Sequence, residues 1–193
     1  MSKNDPISQF ESWFEEAKKS EPSLPEAMCL ATVAADGQPS SRMVLLKSFD
    51  TEGFVFYTNM ESRKGLEIKN NSKTALLFHW KSLQRQVRIV GVLSEVSAEE
   101  ADSYFATRQR GSQIGAWASK QSRTMDGSLD LEKAVAKYTA KFGTKPIERP
   151  PFWTGLRVYP TEMEFWSERT FRLHLREFYS RDGEFWHKEL LYP

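Results

Sequence analysis

Cysteine is nearly missing from this chain of 193 residues, which has Cys29 alone. A disulfide framework and a multi-cysteine metal site are therefore excluded, and a reducing, cytoplasmic setting is expected. Within Ala27-Met-Cys-Leu-Ala-Thr-Val33 the thiol reads as buried and inert. No apolar run approaches the roughly 20 residues needed to span a bilayer, so no membrane association is expected, and the polar N-terminus does not read as a signal peptide. Excess charge is missing too. Lys+Arg 27 against Asp+Glu 26 leaves +1, which gives the whole molecule no field suited to nucleic acid. No strand leads through a glycine-rich loop into a helix, which argues against a dinucleotide fold and a P-loop. His79, His174 and His187 lack ligand spacing with acids or cysteine, so no metal is expected. His79 is expected to pack at a strand end and His187 to be exposed. Neither a nucleophile elbow nor a Ser-His-Asp pattern is present.

Cationic function must therefore be local. The run from Arg108 to Arg123 carries four cations, three serines and no carboxylate. Guanidinium forks, hydroxyls and two glycine-loosened positions suit phosphate oxygens, and a solvated surface would mix acids among those bases. A second candidate follows Tyr57-Thr58, where Ser62-Arg-Lys-Gly65 opens a helix. Arg63 and Lys64 oppose the dipole of a helix start, a conflict that a bound phosphate would resolve.

The spacing of Phe10, Trp13, Phe14 and Ala17 predicts a helix over residues 5–19, with Asp5 as cap and Pro6 in the first turn. β-like runs follow at 27–34, 40–48, 53–58, 74–80 and 84–96, with turns at Asp36-Gly37 and from Asp50 to Gly53. Helices are expected from Ser62 to Asn71, from the Ser97/Glu100 capping box to about Thr107, and from Asp130 to Phe142. Strands at 156–159, 162–167, 170–180 and 184–191 close the chain, the last two joined at Asp182-Gly183. Strands joined by short turns predict a mainly β, α+β chain: an antiparallel barrel or sandwich with peripheral helices. The expected division is an N-terminal helix and linker over 1–25 and a barrel over 26–193, together one domain.

Two polar rows stand out. Residues two apart in a strand share a face, so a strand at 170–180 would align Arg172, His174 and Arg176. Such a row is either a solvent-facing edge or a grip on an anion, with His174 suited to proton work near neutral pH. Gln84, Gln86 and Arg88 form a similar row, suited to a planar ring or to a subunit contact. Arg42 and Lys47 end an apolar strand core, where snorkelling at strand ends is an equal reading. The chain thus offers phosphate grip with little chemistry of its own, which points to a cofactor.

Together these segments resemble the pyridoxine/pyridoxamine 5′-phosphate oxidase family. The matching residues are Ser41-Arg-Met-Val-Leu-Leu-Lys47, Gly53-Phe-Val-Phe-Tyr-Thr-Asn59, Glu61-Ser-Arg-Lys-Gly65, Arg85-Gln-Val-Arg88, Ser112 through Ser122, Glu164-Phe-Trp166 and Arg172-Leu-His174. The resemblance implies an FMN-binding split β-barrel of Greek-key type, a homodimer with FMN between subunits. It implies FMN contacts from Arg42, Met43, Val44, Leu45, Leu46, Lys47, Tyr57, Thr58, Arg63, Lys64, Gln86, Trp166 and Arg176, with Gln121 and Ser122 reaching across from the second subunit. It implies a substrate phosphate held by Lys47, Tyr104, Arg108 and Ser112, and catalytic Arg172 and His174 against the pyridine ring.

The implied reaction oxidises pyridoxine 5′-phosphate or pyridoxamine 5′-phosphate to pyridoxal 5′-phosphate. Dioxygen is the acceptor, hydrogen peroxide forms, and the amine also yields ammonia. The alternatives are a non-catalytic carrier of FMN or pyridoxal phosphate and a flavin oxidase acting on another ring. The chain departs from the family pattern at Leu175, where an acid is usual, at Gln109 in place of a proline, and at Thr154 before Gly155. Its first helix begins near residue 5, so an N-terminal lid segment is expected to be short or absent.

Overall fold

The computed structural model describes residues 5–193. It opens with α1 (Pro6–Ser20), capped by Asp5, whose Oδ1 accepts from the Ile7 N–H at 3.0 Å. Ile7, Phe10, Phe14 and Ala17 fall on its buried face. A hairpin of β1 (Ala27–Val33) and β2 (Pro39–Leu45) turns at Asp36-Gly37. The short β3 (Ser48–Asp50) and β4 (Gly53–Asn59) pair through a turn in which Asp50 Oδ1 accepts from the Glu52 and Gly53 N–H groups. Then come α2 (Arg63–Asn70), β5 (Lys73–Trp80) and β6 (Arg85–Glu95). Three helices follow, α3 (Ala98–Thr107), α4 (Arg110–Ala118) and α5 (Asp130–Phe142), and then β7 (Trp153–Ser167), β8 (Leu175–Asp182) and β9 (Phe185–Leu191).

All strand pairs are antiparallel. The sheet runs β2-β1-β5-β6-β7-β4-β3, with β8 and β9 branching from β7. It curls so that Lys47, just after β2, donates its N–H to Val55 O of β4 at 2.8 Å. This is the split-barrel architecture. Helix α1 closes the barrel interior: the fully buried Phe10 ring lies 4.9–5.9 Å from Phe49, Phe54, Phe78 and Trp80. Burying one such ring stabilises by roughly 1.5–3 kcal/mol. Phe105, Ile114, Ile147 and Trp153 form a second cluster, packed by α3, α4 and α5 on the sheet's outer side.

Several expectations change. The predicted strand 40–48 breaks at Leu46 and Lys47, where the chain crosses from one sheet edge to the other. The two strands predicted at 156–159 and 162–167 are one, β7, because a bulge at Val90/Gly91 opposite Pro160 absorbs the proline. At Gly91 a Cβ would lie 2.2 Å from Tyr159 O, so only glycine permits this approach. The run from Arg108 to Arg123, where no helix was expected, contains α4, held by tertiary packing: Ile114 is buried and Gln113 Nε2 donates to Phe105 O at 2.9 Å. Residues 170–172 form a 3-10 turn with Phe171 and Arg172 at φ 58° and 63°, and β8 starts only at Leu175. Arg172, His174 and Arg176 therefore do not share a strand face. Gln84 likewise precedes β6, at φ 53°. His79 is exposed rather than packed, Cys29 only half-buried, and His187 exposed as expected.

Candidate active site

The ends of β4 and β2 and the helices above them enclose a cavity of about 850 Å³. Its position follows from local chain geometry. After β4, Asn59 Oδ1 accepts from the Glu61 N–H, and Ser62 Oγ donates to Asn59 O at 2.6 Å, which turns the chain sharply into α2. Gly65 lets α2 press on that turn, since a Cβ there would meet the Met60 backbone at 2.5 Å. Ser62 caps α2 as expected, its Oγ accepting from the Gly65 N–H at 3.4 Å.

Arg42, Lys47, Lys64 and Arg108 line the cavity, and no carboxylate does. Lys64 is 9% exposed, and its Nζ donates to Gln121 Oε1 at 2.7 Å and Ser62 Oγ at 3.1 Å. Burial, with the nearby Arg42 charge, lowers its pKa to about 8. Arg42 donates from Nη1 to Leu30 O and Thr32 Oγ1, and from Nη2 to Ser40 Oγ and Glu67 Oε2. On the other wall, Tyr57 stacks on Tyr104 with centroids 3.8 Å apart and on Trp153 at 5.2 Å. Burial, then the Glu100 charge, pushes the Tyr57 hydroxyl up to about 12, so it stays neutral. The Arg108 guanidinium lies 4.8 Å from the Trp153 ring centre, and its Nη1 is buried with no hydrogen-bond partner among the described residues. A buried, unmatched N–H of a cation is costly, and an incoming anion removes that cost.

The cavity thus gathers Arg42, Met43, Val44, Leu45, Lys47, Tyr57, Thr58, Lys64, Tyr104, Arg108, Ser112, Gln121 and Ser122 from the sequence-predicted set. Leu46 points instead into the barrel core. Arg63 turns to Glu67, Nε to Oε1 at 2.9 Å, beside a neighbouring groove. Gln121, expected from a second subunit, contacts Lys64 of its own chain because residues 119–122 fold back over the start of α2. Asn59, Ser119 and Trp153 line the cavity without having been expected. A polar residue at a strand end and an aromatic beside a proline pair were the available signals.

The remaining candidates lie elsewhere on the chain. Gln86, Trp166 and Arg176 are register partners across β6, β7 and β8, and so form one row on one sheet face. Arg176 is tied to Glu164 at 2.8 Å, and Arg88 reaches the same carboxylate. His174 lies against Trp166, centroids 4.6 Å apart, and its Nδ1 accepts from the Arg169 N–H at 3.3 Å. None of these lines the cavity of its own chain. Around them Phe171 (91% exposed), Leu173, Leu190 and Tyr192 leave apolar surface in solvent.

Comparisons with known proteins match both regions. The family model described as pyridoxamine 5′-phosphate oxidase covers residues 14–142, and that of the pyridoxine 5′-phosphate oxidase C-terminal dimerisation region covers 153–193. A pyridoxine/pyridoxamine 5′-phosphate oxidase of Brucella canis is 55% identical over 98% of this chain and 94% of its own length. Among solved structures, PhzG from Burkholderia lata, in complex with tetrahydrophenazine-1-carboxylic acid, superposes with TM-score 0.92 at 33% identity, over 98% of this chain and 93% of that one. A pyridoxamine 5′-phosphate oxidase-related, FMN binding protein of Nostoc punctiforme superposes at TM-score 0.80 over the full length of both, and at 19% identity it supports the fold alone. Among the described residues no helix is long and apolar enough to cross a membrane. On the strength of both family models and the 55% identity, this chain belongs to the pyridoxine/pyridoxamine 5′-phosphate oxidase family.

Proposed function

We propose that the chain oxidises pyridoxine 5′-phosphate or pyridoxamine 5′-phosphate to pyridoxal 5′-phosphate, in a cavity completed by a second copy of itself. The observation that carries the reading is Arg108: among the described residues its buried guanidinium N–H has no partner, in a cavity they line with four cations and no carboxylate. FMN is the cofactor, and the chain is an oxidoreductase of this family. The residues fit that group. Arg42, Lys64 and the start of α2 offer a phosphate site, and Thr58, Gln121 and Ser122 offer polar contacts beside it. When bound, FMN accepts a hydride from the C4′ carbon and passes the electrons to dioxygen, giving hydrogen peroxide.

The chain's own residues bind and orient. Lys47, Tyr104, Arg108 and Ser112 hold the substrate phosphate, from the β2–β3 crossover, α3, the α3–α4 link and α4. The chain forms a homodimer through its C-terminal region. We place FMN at that interface, where a second copy supplies Gln86, Trp166 and Arg176 to the flavin and Arg172 and His174 to the pyridine ring. Arg172 orients the ring and stabilises charge changing at C4′, and His174, held against Trp166, supports it. The alcohol loses its hydroxyl proton as the aldehyde forms; the amine gives an imine that hydrolyses and releases ammonia. A cytoplasmic location completes the proposal.

The PhzG likeness favours one other reading, a flavin oxidase acting on a carboxylated ring. Anaerobic addition of pyridoxine 5′-phosphate to the yellow protein separates the two. Bleaching of the flavin absorbance, then peroxide on readmitting air, is expected. Bleaching by tetrahydrophenazine-1-carboxylate and not by the B6 phosphate would replace the proposal with the second reading.

Lys64 gives a pH prediction. Its folded pKa of about 8 lies below the ordinary lysine value, so above pH 8 it loses its proton in the folded protein while the unfolded chain keeps its own. This group's contribution to the stability of the unliganded fold therefore rises from about pH 8 to 10.5. Phosphate binding has the opposite sign, because the dianion needs the charged amine. The FMN dissociation constant is expected to rise by roughly 10- to 30-fold from pH 7.5 to 9.5. Flavin fluorescence titrations at both values check it, and Tyr57 remains neutral across that window.

A further inference from the structure

We propose that Glu67 is the positioning residue for Arg42, fixing the guanidinium that meets the FMN phosphate. The inference rests on the reading of the cavity as an FMN site, and it goes beyond that reading to a residue outside the cavity lining.

Glu67 sits on α2 at 5% exposure, outside the cavity lining and in the neighbouring groove beside Arg63, where it is bonded to Arg42. Its Oε2 accepts from Thr32 Oγ1 at 2.5 Å, Ser40 Oγ at 2.7 Å and Arg42 Nη2 at 3.2 Å, while Oε1 accepts from Arg63 Nε at 2.9 Å. The proton count is consistent. Each hydroxyl donates its one hydrogen to the carboxylate and accepts from Arg42, Thr32 from Nη1 and Ser40 from Nη2. With Leu30 O taking the other Nη1 hydrogen, all four terminal donors of Arg42 are engaged. Nε and the charge itself remain for a ligand. Burial alone would raise the Glu67 pKa, but hydrogen bonds from Thr32, Ser40 and Arg63, with the Arg42 charge, bring it down to about 2. It is ionised at any assay pH.

A carboxylate beside an anion site opposes the anion by Coulomb repulsion. Its presence makes sense as a clamp. Arginine has large rotamer freedom, and a guanidinium already fixed in place gives up less on binding. The two effects have opposite signs, so one measurement decides between them. Removing a mere negative charge tightens FMN binding; removing a clamp loosens it.

The test follows flavin fluorescence as the holoenzyme is diluted. Glu67→Ala is expected to raise the FMN dissociation constant roughly tenfold, whereas Glu67→Gln, which keeps an acceptor for both hydroxyls, stays within about threefold of wild type. With FMN in excess, kcat per bound flavin and the KM for pyridoxine 5′-phosphate are expected to be unchanged for both. If Glu67→Ala does not fold, the Thr32→Val/Ser40→Ala pair, which removes two of the four acceptors that hold Arg42 and leaves the carboxylate in place, is expected to loosen FMN binding in the same direction. Unchanged or tighter FMN binding by Glu67→Ala or by the pair overturns the assignment, as does Glu67→Gln as weak as Glu67→Ala. Wild-type protein that holds no FMN would instead overturn the reading of the cavity itself.

Discussion

Arg108→Met is expected to raise the KM for the phosphorylated substrate by about 10- to 100-fold, the value of one or two charge-assisted hydrogen bonds, without lowering the melting temperature. The two halves of that expectation come from one feature. Arg108 Nη1 is buried and makes no hydrogen bond among the described residues, so the unliganded protein carries a desolvated cation. Burial correspondingly lowers its pKa. Methionine removes that cost and fills the same space against Phe105 and Trp153, offsetting the lost cation–π contacts. A substrate phosphate, in turn, loses its buried guanidinium partner. Steady-state kinetics beside a thermal melt check both halves. A variant that loses stability and keeps its KM would show Arg108 to be a structural residue.

Arg172→Ala is expected to lower kcat by roughly 100-fold while leaving FMN affinity within a few-fold of wild type. Arg172 sits in a turn where it and Phe171 both adopt left-handed backbone angles, a conformation that costs a side-chain-bearing residue about 1–2 kcal/mol. Neither residue recovers that cost by packing, since both are exposed. Such strain is commonly retained where a side chain must be presented to something outside its own chain. The FMN phosphate contacts proposed above, Arg42 and Lys64, line the cavity and Arg172 does not, which is why cofactor binding and turnover should separate. Near-normal turnover by Arg172→Ala with FMN bound would remove Arg172 from the catalytic set.

How much of this was legible in the sequence depends on the range of the forces involved. Features set by neighbours in the chain were legible: Asp5, Ser62 and Ser97 cap the helices they were expected to cap. Asp36-Gly37 and Asp182-Gly183 join the strand pairs they were expected to join. Arg108 was legible because acids are missing from its run, and Lys64 because a cation opposes the dipole of a helix start. Helix α4 was not, since Gly111 and Gly115 weaken its propensity and its order comes from Ile114 and Gln113 packing under α3. The 3-10 turn at Arg172 was not, because no glycine announces its two left-handed residues. The row Gln86–Trp166–Arg176 depends on strand register between segments some 80 residues apart, which no local pattern encodes. Glu67 was hidden for a related reason: on a short polar helix it resembles any solvated acid until the fold brings Thr32, Ser40 and Arg42 to it.

The proposed site is shared between two chains: a cavity from one and the Arg172–His174 turn from the other. Co-expression of the Arg108→Met and Arg172→Ala chains tests it. Random pairing makes half the dimers mixed, each with one intact site of two. Activity at substrate concentrations far below KM is therefore expected to recover to about a quarter of wild type, well above either variant alone. Co-expressed chains no more active than the two variants separately would place every catalytic group within one chain and contradict the account.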